Sequence, residues 1–252
     1  MTTLDGTIAL VTGASSGLGA HMARVLGGAG AIVAIGARRA EKLAETARAI
    51  EAAGGRAFAV DLDVTDAQSV ERAFEQIVAA VGVPSVLVNN AGIAEAQPAL
   101  TMSDADFTRV VETNLIGQWR VAKAFAQRLV DVQRGGSIVN IASVAGERAV
   151  GSLAAYSASK AGLIMLSASL AIEWARYGIR VNTISPGYIR TDLNAAFFDS
   201  PAGEALIARI PLRRLGKEAD LDGALLLLAS DASENMTGAT IAIDGGHRHA
   251  SI

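Results

Sequence analysis

Residues 7–19 read TIALVTGASSGLG. Thr7 to Val11 is a short apolar run, and after the glycines a pattern of apolar and small residues at helical spacing continues to Gly28. Strand, glycine turn and helix in that order form the opening unit of an α/β fold. Gly13, Gly17 and Gly19 are spaced GxxxGxG, which differs from the GxGxxG of many dinucleotide sites. The physical requirement is the same. Glycine lets the backbone turn sharply and approach a pyrophosphate, to which the following helix offers free amides and the positive end of its dipole.

The alternation continues outward from this unit. Apolar runs predict strands at 31–36, 56–60, 85–88, 137–142, 179–184 and 239–243, and helical spacing predicts helices at 39–53, 66–81, 104–130, 154–177 and 218–230. Gly54 and Gly55 close one helix, Asp66 suits the N-cap of the next, and Gly178 stops the last long one. There is no composition break, polar linker or repeat. The prediction is therefore one domain over 1–252, an α/β fold with a doubly wound, mostly parallel sheet and helices on both faces, three layers in a Rossmann-like arrangement. Only 188–215 departs from the alternation. It carries Phe197, Phe198, Pro201 and Pro211 and falls where the chain would cross the carboxyl edge of the sheet, so it is expected to cover a substrate.

The residues at the strand ends carry the chemistry. Arg38 and Arg39 follow the second strand, where a carboxylate would otherwise meet an adenosine ribose; without one, Arg38, supported by Arg39, suits a 2'-phosphate, or both simply face solvent on the next helix. Asn89, Asn90, Ala91 and Gly92 end the fourth strand with small and amide groups that let a flat ligand approach or merely form a turn. Asn114 sits inside an apolar helix, either as a satisfied core amide or as part of a proton-carrying network. Ser143 falls at the end of the fifth strand, and Tyr156 and Lys160 stand four apart on the following helix, hence on one face. A phenol has a pKa of about 10, and a neighbouring ammonium lowers it, which would make Tyr156 an acid-base group. A tyrosine and a lysine at this spacing are also ordinary helix packing.

Composition removes several classes of function. The chain has 252 residues, 51% hydrophobic and 19% charged, with a net charge of -3 that offers no general attraction to nucleic acid or anionic membrane. No apolar run is read as long enough for a membrane span, and the N-terminus lacks the pattern of a secretory signal. There are no cysteines, which excludes disulfides and thiolate chemistry and suits a cytoplasmic location. His21, His247 and His249 form no evident metal set, and the last two are expected at the surface.

Taken in order, TGASSGLG at 12–19, Asp63, NNAG at 89–92, Asn114, Ser143, YSASK at 156–160 and PG at 186–187 with Thr191 beyond resemble the short-chain dehydrogenase/reductase family, over nearly the whole chain. The resemblance implies a nicotinamide cofactor across the strand ends. Gly13, Ser15, Ser16, Gly17, Leu18 and Gly19 would hold its pyrophosphate and adenosine side, and Asp63 and Val64 its adenine. Asn90, Ala91 and Gly92 would line the middle, and Pro186, Gly187, Ile189 and Thr191 the nicotinamide. An arginine at position 38 without an acid at Ala37 goes with NADP(H), while Ser16, in place of a second basic residue, leaves NAD(H) open. Ser143 and Tyr156 would bind a ketone oxygen and Tyr156 would pass the proton. Lys160 would hold the nicotinamide ribose and acidify the phenol, and Asn114 would hold a water that replaces the proton.

The leading expectation is thus hydride transfer between NADP(H) and a carbonyl or secondary alcohol. An NAD(H)-dependent alcohol dehydrogenase is the alternative within the family, and a dinucleotide sensor or scaffold without turnover is the alternative outside it. Val144, Ala145, Val150, Tyr188, Phe197 and Phe198, with Ser143 and Tyr156, are candidates for the substrate pocket, and Glu147 for a polar substrate group or for solvent. The family's usual pairing through the helices at 104–130 and 154–177 implies a homo-oligomer, a tetramer or dimer.

Overall fold

The computed structural model describes residues 3–190 and 194–250. Its centre is one parallel sheet of seven strands: β1 (Ile8–Thr12), β2 (Ile32–Ala37), β3 (Arg56–Asp61), β4 (Val86–Asn89), β5 (Gly136–Ile141), β6 (Ile179–Pro186) and β7 (Thr240–Ile243), in the spatial order β3-β2-β1-β4-β5-β6-β7. The order reverses beside β1. β1 pairs with β2 on one side (Leu10 opposite Ala34) and β4 on the other (Leu10 opposite Leu87), so a crevice opens above the carboxyl ends of β1 and β4.

Side chains along each strand alternate between two cores. Ala9 and Val11 of β1 and Val33 and Ile35 of β2 pack with Met22 and Leu26 of α1 (Gly17–Gly28), Leu43 and Ile50 of α2 (Ala40–Ala52), and Leu225 and Leu228. Leu10, Ala34, Leu87, Ile138 and Val181 face the opposite way, onto Phe74 and Ile77 of α3 (Ala67–Val81) and Phe125 and Leu129 further along the chain. Strands buried on both faces are why they read as continuous apolar runs. Asp66 caps α3 as expected, its carboxylate accepting from the Gln68 amide at 2.8 Å.

The helix predicted over 104–130 is broken in the middle. α4 (Asp104–Val111) passes through a π turn at Glu112–Ile116 into α5 (Gly117–Asp131). A π turn holds one residue more than an α turn, and Asn114 is fully buried inside it. α6 (Ala154–Trp174) continues through a 3₁₀ turn to Tyr177 and ends at Gly178, whose φ of 70° is the left-handed stop expected of a glycine. The segment 154–177 is, by length and composition, long and apolar enough to cross a membrane, which corrects the reading that no run reaches that length. Its small residues hide this in the sequence. It packs on β6, with Leu163, Leu170 and Ala171 buried, as a core helix of the sheet. After β6 come α7 (Ala195–Phe198) and α8 (Pro201–Ile207), then a 3₁₀ turn from Glu218 leads into α9 (Asp222–Ala229).

Candidate active site

Two clefts adjoin along the carboxyl edge. The first, about 350 Å³, is lined by Gly13, Ser15, Ser16, Leu18 and Gly19 of the glycine turn, by Arg38 and Arg39, by Asp63 and Val64, and by Asn90, Ala91 and Gly92. The second, about 380 Å³, shares Leu18, Asn90 and Gly92 with it and holds Ser143, Tyr156, Lys160, Pro186, Gly187 and Ile189. Residues as far apart as Gly13 and Ile189, 176 positions, thus meet along one groove, because every strand points its carboxyl end the same way. Gly17 lines neither cleft and begins α1; Thr191 lies outside the described residues.

The groove fits an extended dinucleotide. A Cβ on Gly19 would lie 2.3 Å from the Gly13 carbonyl oxygen and 2.6 Å from the Asn90 amide, so only glycine lets α1 begin this close to the turn. The Thr12 hydroxyl accepts from the amides of Asn90 and Ala91, both at 3.0 Å, which locks the β1 turn to the β4 turn. Ser16, at the N-cap of α1, makes no side-chain capping bond to the helix. Its hydroxyl instead accepts from the Arg39 guanidinium at 2.7 Å, and Arg39 also reaches Ser15 at 2.9 Å. Arg39 thereby brings positive charge to the position where the sequence places only a serine.

Arg38 is largely exposed and makes one loose ion pair, 3.6 Å from Asp63. Asp63 is held firmly, accepting from the Thr65 amide at 2.9 Å and hydroxyl at 2.7 Å while its own amide donates to Ser69. Burial pushes its carboxyl up, but the Thr65 bonds and the Arg38 charge outweigh this and keep it below the usual carboxylate value. Arg38 can leave that weak contact for an anion. Asp63 stays ionised.

At the other end, Ser143 sits at the mouth of β5 and caps a 3₁₀ turn (Val144–Gly146), accepting from the Ala145 amide at 3.1 Å. A Cβ on Gly146 would lie 2.7 Å from the Lys160 carbonyl carbon, so this loop presses directly on the backbone of α6 and brings Ser143 beside Tyr156. Lys160 is 3% exposed, donates to the Ile141 carbonyl at 2.7 Å, and lies 5.8 Å from the centre of the Tyr156 ring. Phenol, hydroxyl and amine therefore face one cleft. Burial pushes the Lys160 ammonium down to about 8.

Burial opposes the expected acidification of the phenol. It raises the Tyr156 pKa, and hydrogen bonding with Ser143 pulls it partly back. Lys160 Nζ donates to the Ile141 carbonyl rather than to the phenol, and lies 5.8 Å from the ring centre. The Asn114 side chain is fully engaged. Its Oδ1 accepts from the Ile93 amide at 2.8 Å, and its Nδ2 donates to the Ile93 carbonyl at 2.8 Å and to the Ser159 hydroxyl at 3.1 Å. It is a satisfied buried amide that fixes the strand extension after Gly92.

Of the expected substrate residues, Val144, Ala145, Val150 and Tyr188 line the second cleft with Ser143 and Tyr156. Phe197 and Phe198 do not. Phe198 is buried behind Tyr188, ring centres 5.8 Å apart, and Phe197 stacks edge-on to Phe198 and is 48% exposed. Ile93, Ala94, Leu153 and Asn194 line it instead. The sequence offered one signal for the first two, their place directly after NNAG. His247 is also misplaced by its sequence reading: it is 6% exposed, against Tyr188 at 5.1 Å. No cluster of three metal-ligating side chains occurs among the described residues.

The family profile described as enoyl-(acyl carrier protein) reductase matches residues 13–248. The 3-oxoacyl-(acyl-carrier-protein) reductase of Escherichia coli is 40% identical over 242 residues, 96% of this chain and 97% of that protein. The chain belongs to the short-chain dehydrogenase/reductase family. It is an NAD(P)(H)-dependent oxidoreductase of that family. The 2-dehydro-3-deoxy-D-gluconate 5-dehydrogenase of Formosa agariphila is 38% identical over 246 residues, 96% of this chain and 93% of that one. Among solved structures, a gluconate 5-dehydrogenase from Burkholderia cenocepacia in complex with NADP and tartrate superposes with a TM-score of 0.94 at 38% identity, covering 99% of this chain and 98% of that one.

Proposed function

We propose that this short-chain dehydrogenase/reductase exchanges hydride between NADP(H) and a ketone or secondary alcohol, with Tyr156 as the proton donor and acceptor. The observation that carries this is the placement of Ser143, Tyr156 and Lys160 in one cleft that opens onto the glycine-lined groove. When bound, the nicotinamide supplies or accepts the hydride. The residues of the chain do the rest. Ser143 and Tyr156 hydroxyls bind the reacting oxygen, and their bonds strengthen as charge grows on it. Tyr156 gives its proton in reduction and takes it in oxidation. Lys160 holds the ribose hydroxyls of the coenzyme, and its ammonium, 5.8 Å from the centre of the Tyr156 ring, favours the phenolate. Asn114 acts by fixing Ile93 and the backbone that lines the nicotinamide space.

NADP(H) is favoured over NAD(H) by the two arginines at the end of β2, one loosely held and one already lodged on Ser15 and Ser16. The NADP-bound gluconate 5-dehydrogenase from Burkholderia cenocepacia supports the same choice. Val144, Ala145, Val150 and Leu153 give the substrate end an apolar wall, with Tyr188, Ile189 and Asn194 also lining the cleft. The test is NADPH consumption over a panel of carbonyl compounds, with NADH in parallel. No turnover with either coenzyme, while both bind, would favour the sensor reading.

The outward faces of α4, α5 and α6 leave Phe107, Trp119, Met165 and Ile172 exposed, the last two at 67% and 82%. A second copy of the chain is the proposed cover, giving a dimer or tetramer. Light scattering at micromolar concentration checks this, and a monomeric mass removes it.

A further inference from the structure

The loop after Ser143 is fastened to the end of the chain twice, by neighbouring residues and in opposite senses. The Glu147 carboxylate accepts from the Arg248 guanidinium at 2.6 Å, and the Arg148 guanidinium donates to the His247 carbonyl at 2.6 Å. The 3₁₀ turn His247–His249 that carries both partners is itself held in place. Asp244 accepts from the amides of Gly246 at 2.9 Å and Arg248 at 2.7 Å, and Gly187 packs so closely on Asp244 that a Cβ there would come within 2.6 Å of its Cα. The buried His247 ring lies against Tyr188, and its Nδ1 has no hydrogen-bond partner among the described residues.

These contacts reach both walls of the substrate end. Val144, Ala145 and Val150 belong to the loop that Glu147 and Arg148 anchor, and Tyr188 is the residue that His247 supports; all four line the cleft that holds Tyr156. Glu147 and Arg248 line neither cleft. Any effect they have on substrate passes through the residues they position.

We propose that residues 244–249 form a clasp that sets the width of the substrate cleft, with Glu147 and Arg248 as positioning residues for substrate size. This rests on the carbonyl reading of the same cleft. With the clasp closed, Val150 and Tyr188 stand at a fixed separation and the cleft discriminates against bulky groups beside the carbonyl. With it open, the Ser143 side of the loop stays on α6 through Gly146 while the Val150 side moves away, so the discrimination falls and the chemistry remains.

The experiment is a charge exchange: Glu147→Arg, Arg248→Glu and the double variant, each compared with wild type. Steady-state rates are read with NADPH and ketones of increasing substituent size, and hydrogen–deuterium exchange is read over 144–152 with NADPH bound. Each single variant is expected to lower the ratio of kcat/KM between the smallest and the bulkiest ketone by about tenfold, through KM, with kcat for the smallest ketone and NADPH affinity within twofold of wild type. Exchange over 144–152 should quicken in both and return to the wild-type rate, with the size preference, in the double variant. Single variants that keep the wild-type preference, or a double variant in which the two losses add, would overturn the clasp. If the wild type binds NADPH yet reduces no ketone, the carbonyl reading fails on its own; exchange over 144–152 that is then unaltered in the single variants overturns the clasp as well, and restored exchange in the double variant upholds it.

Discussion

The Arg39 guanidinium crosses the nucleotide groove to rest 2.7 Å from the Ser16 hydroxyl. With the bonds from Arg39 to Ser15, that contact joins the end of β2 to the first turn of α1 and adds positive charge to the glycine-lined cleft. Arg38 stands beside it with only a 3.6 Å contact to Asp63 to give up.

Coenzyme choice should follow these two side chains. Arg38→Asp is expected to raise KM for NADPH by about 10- to 100-fold, the loss of one charge-assisted contact of about 1.5–3 kcal/mol, while KM for NADH falls. Arg39→Ala should weaken NADPH by a similar factor without improving NADH. Fluorescence titration of each coenzyme checks both, and an unchanged NADPH preference in Arg38→Asp would remove the ribose-phosphate assignment.

Tyr156→Phe removes the hydroxyl proposed to pass the proton beside Ser143. Turnover should fall by about 10²- to 10⁴-fold, the usual contribution of a general acid or base. NADPH binding should stay within a few-fold of wild type, because the ring still fills its place. Retained activity would refute the assignment.

Lys160 carries a cost in stability that depends on pH. Its pKa is about 8 in the folded chain against an ordinary 10.5, so between those values the unfolded chain holds more protons and stability rises with pH. Below about pH 8 the full penalty applies, of order 3 kcal/mol at about 1.4 kcal/mol per tenfold. Lys160→Met should therefore melt higher than wild type at pH 7 in the absence of coenzyme, with the gap closing toward pH 10. Scanning calorimetry at the two pH values reads it; equal melting temperatures at pH 7 would show that the amine is solvated.

Gly19→Ala puts a methyl group 2.3 Å from the Gly13 carbonyl oxygen. The turn has to open, and both coenzymes should lose affinity together by about tenfold or more, unlike the selective loss from Arg38→Asp. Phe125→Ala, far from the groove and fully buried, should cost about 3–5 kcal/mol in denaturant unfolding and leave KM values alone.

The central strands were legible because they are buried on both sides, so Ala9 to Val11 or Ile138 and Val139 read as unbroken apolar runs. Ser143, Tyr156 and Lys160 were legible because type and spacing are local. What the sequence withheld is set by contacts across the chain. Asn114 inside an apolar helix gave no sign that its amide would pair with the backbone of Ile93, twenty-one residues earlier. Phe197 and Phe198 are aromatic in the right segment, yet only the packing of α7 against Tyr188 decides that they miss the cleft. His247 looks like a surface residue until Arg148, 99 positions away, is seen to hold its carbonyl.

The π turn at Glu112–Ile116 has a consequence for how this protein can vary. One surplus residue advances everything after it by about 100° around the helix axis. Gln118, Val121 and Phe125 are buried only because that offset has already been added. Deleting a single residue there would scarcely shorten the molecule; it would roll α5 about its own axis, turn its polar side toward the sheet, and release Ile93 from Asn114 in the same movement.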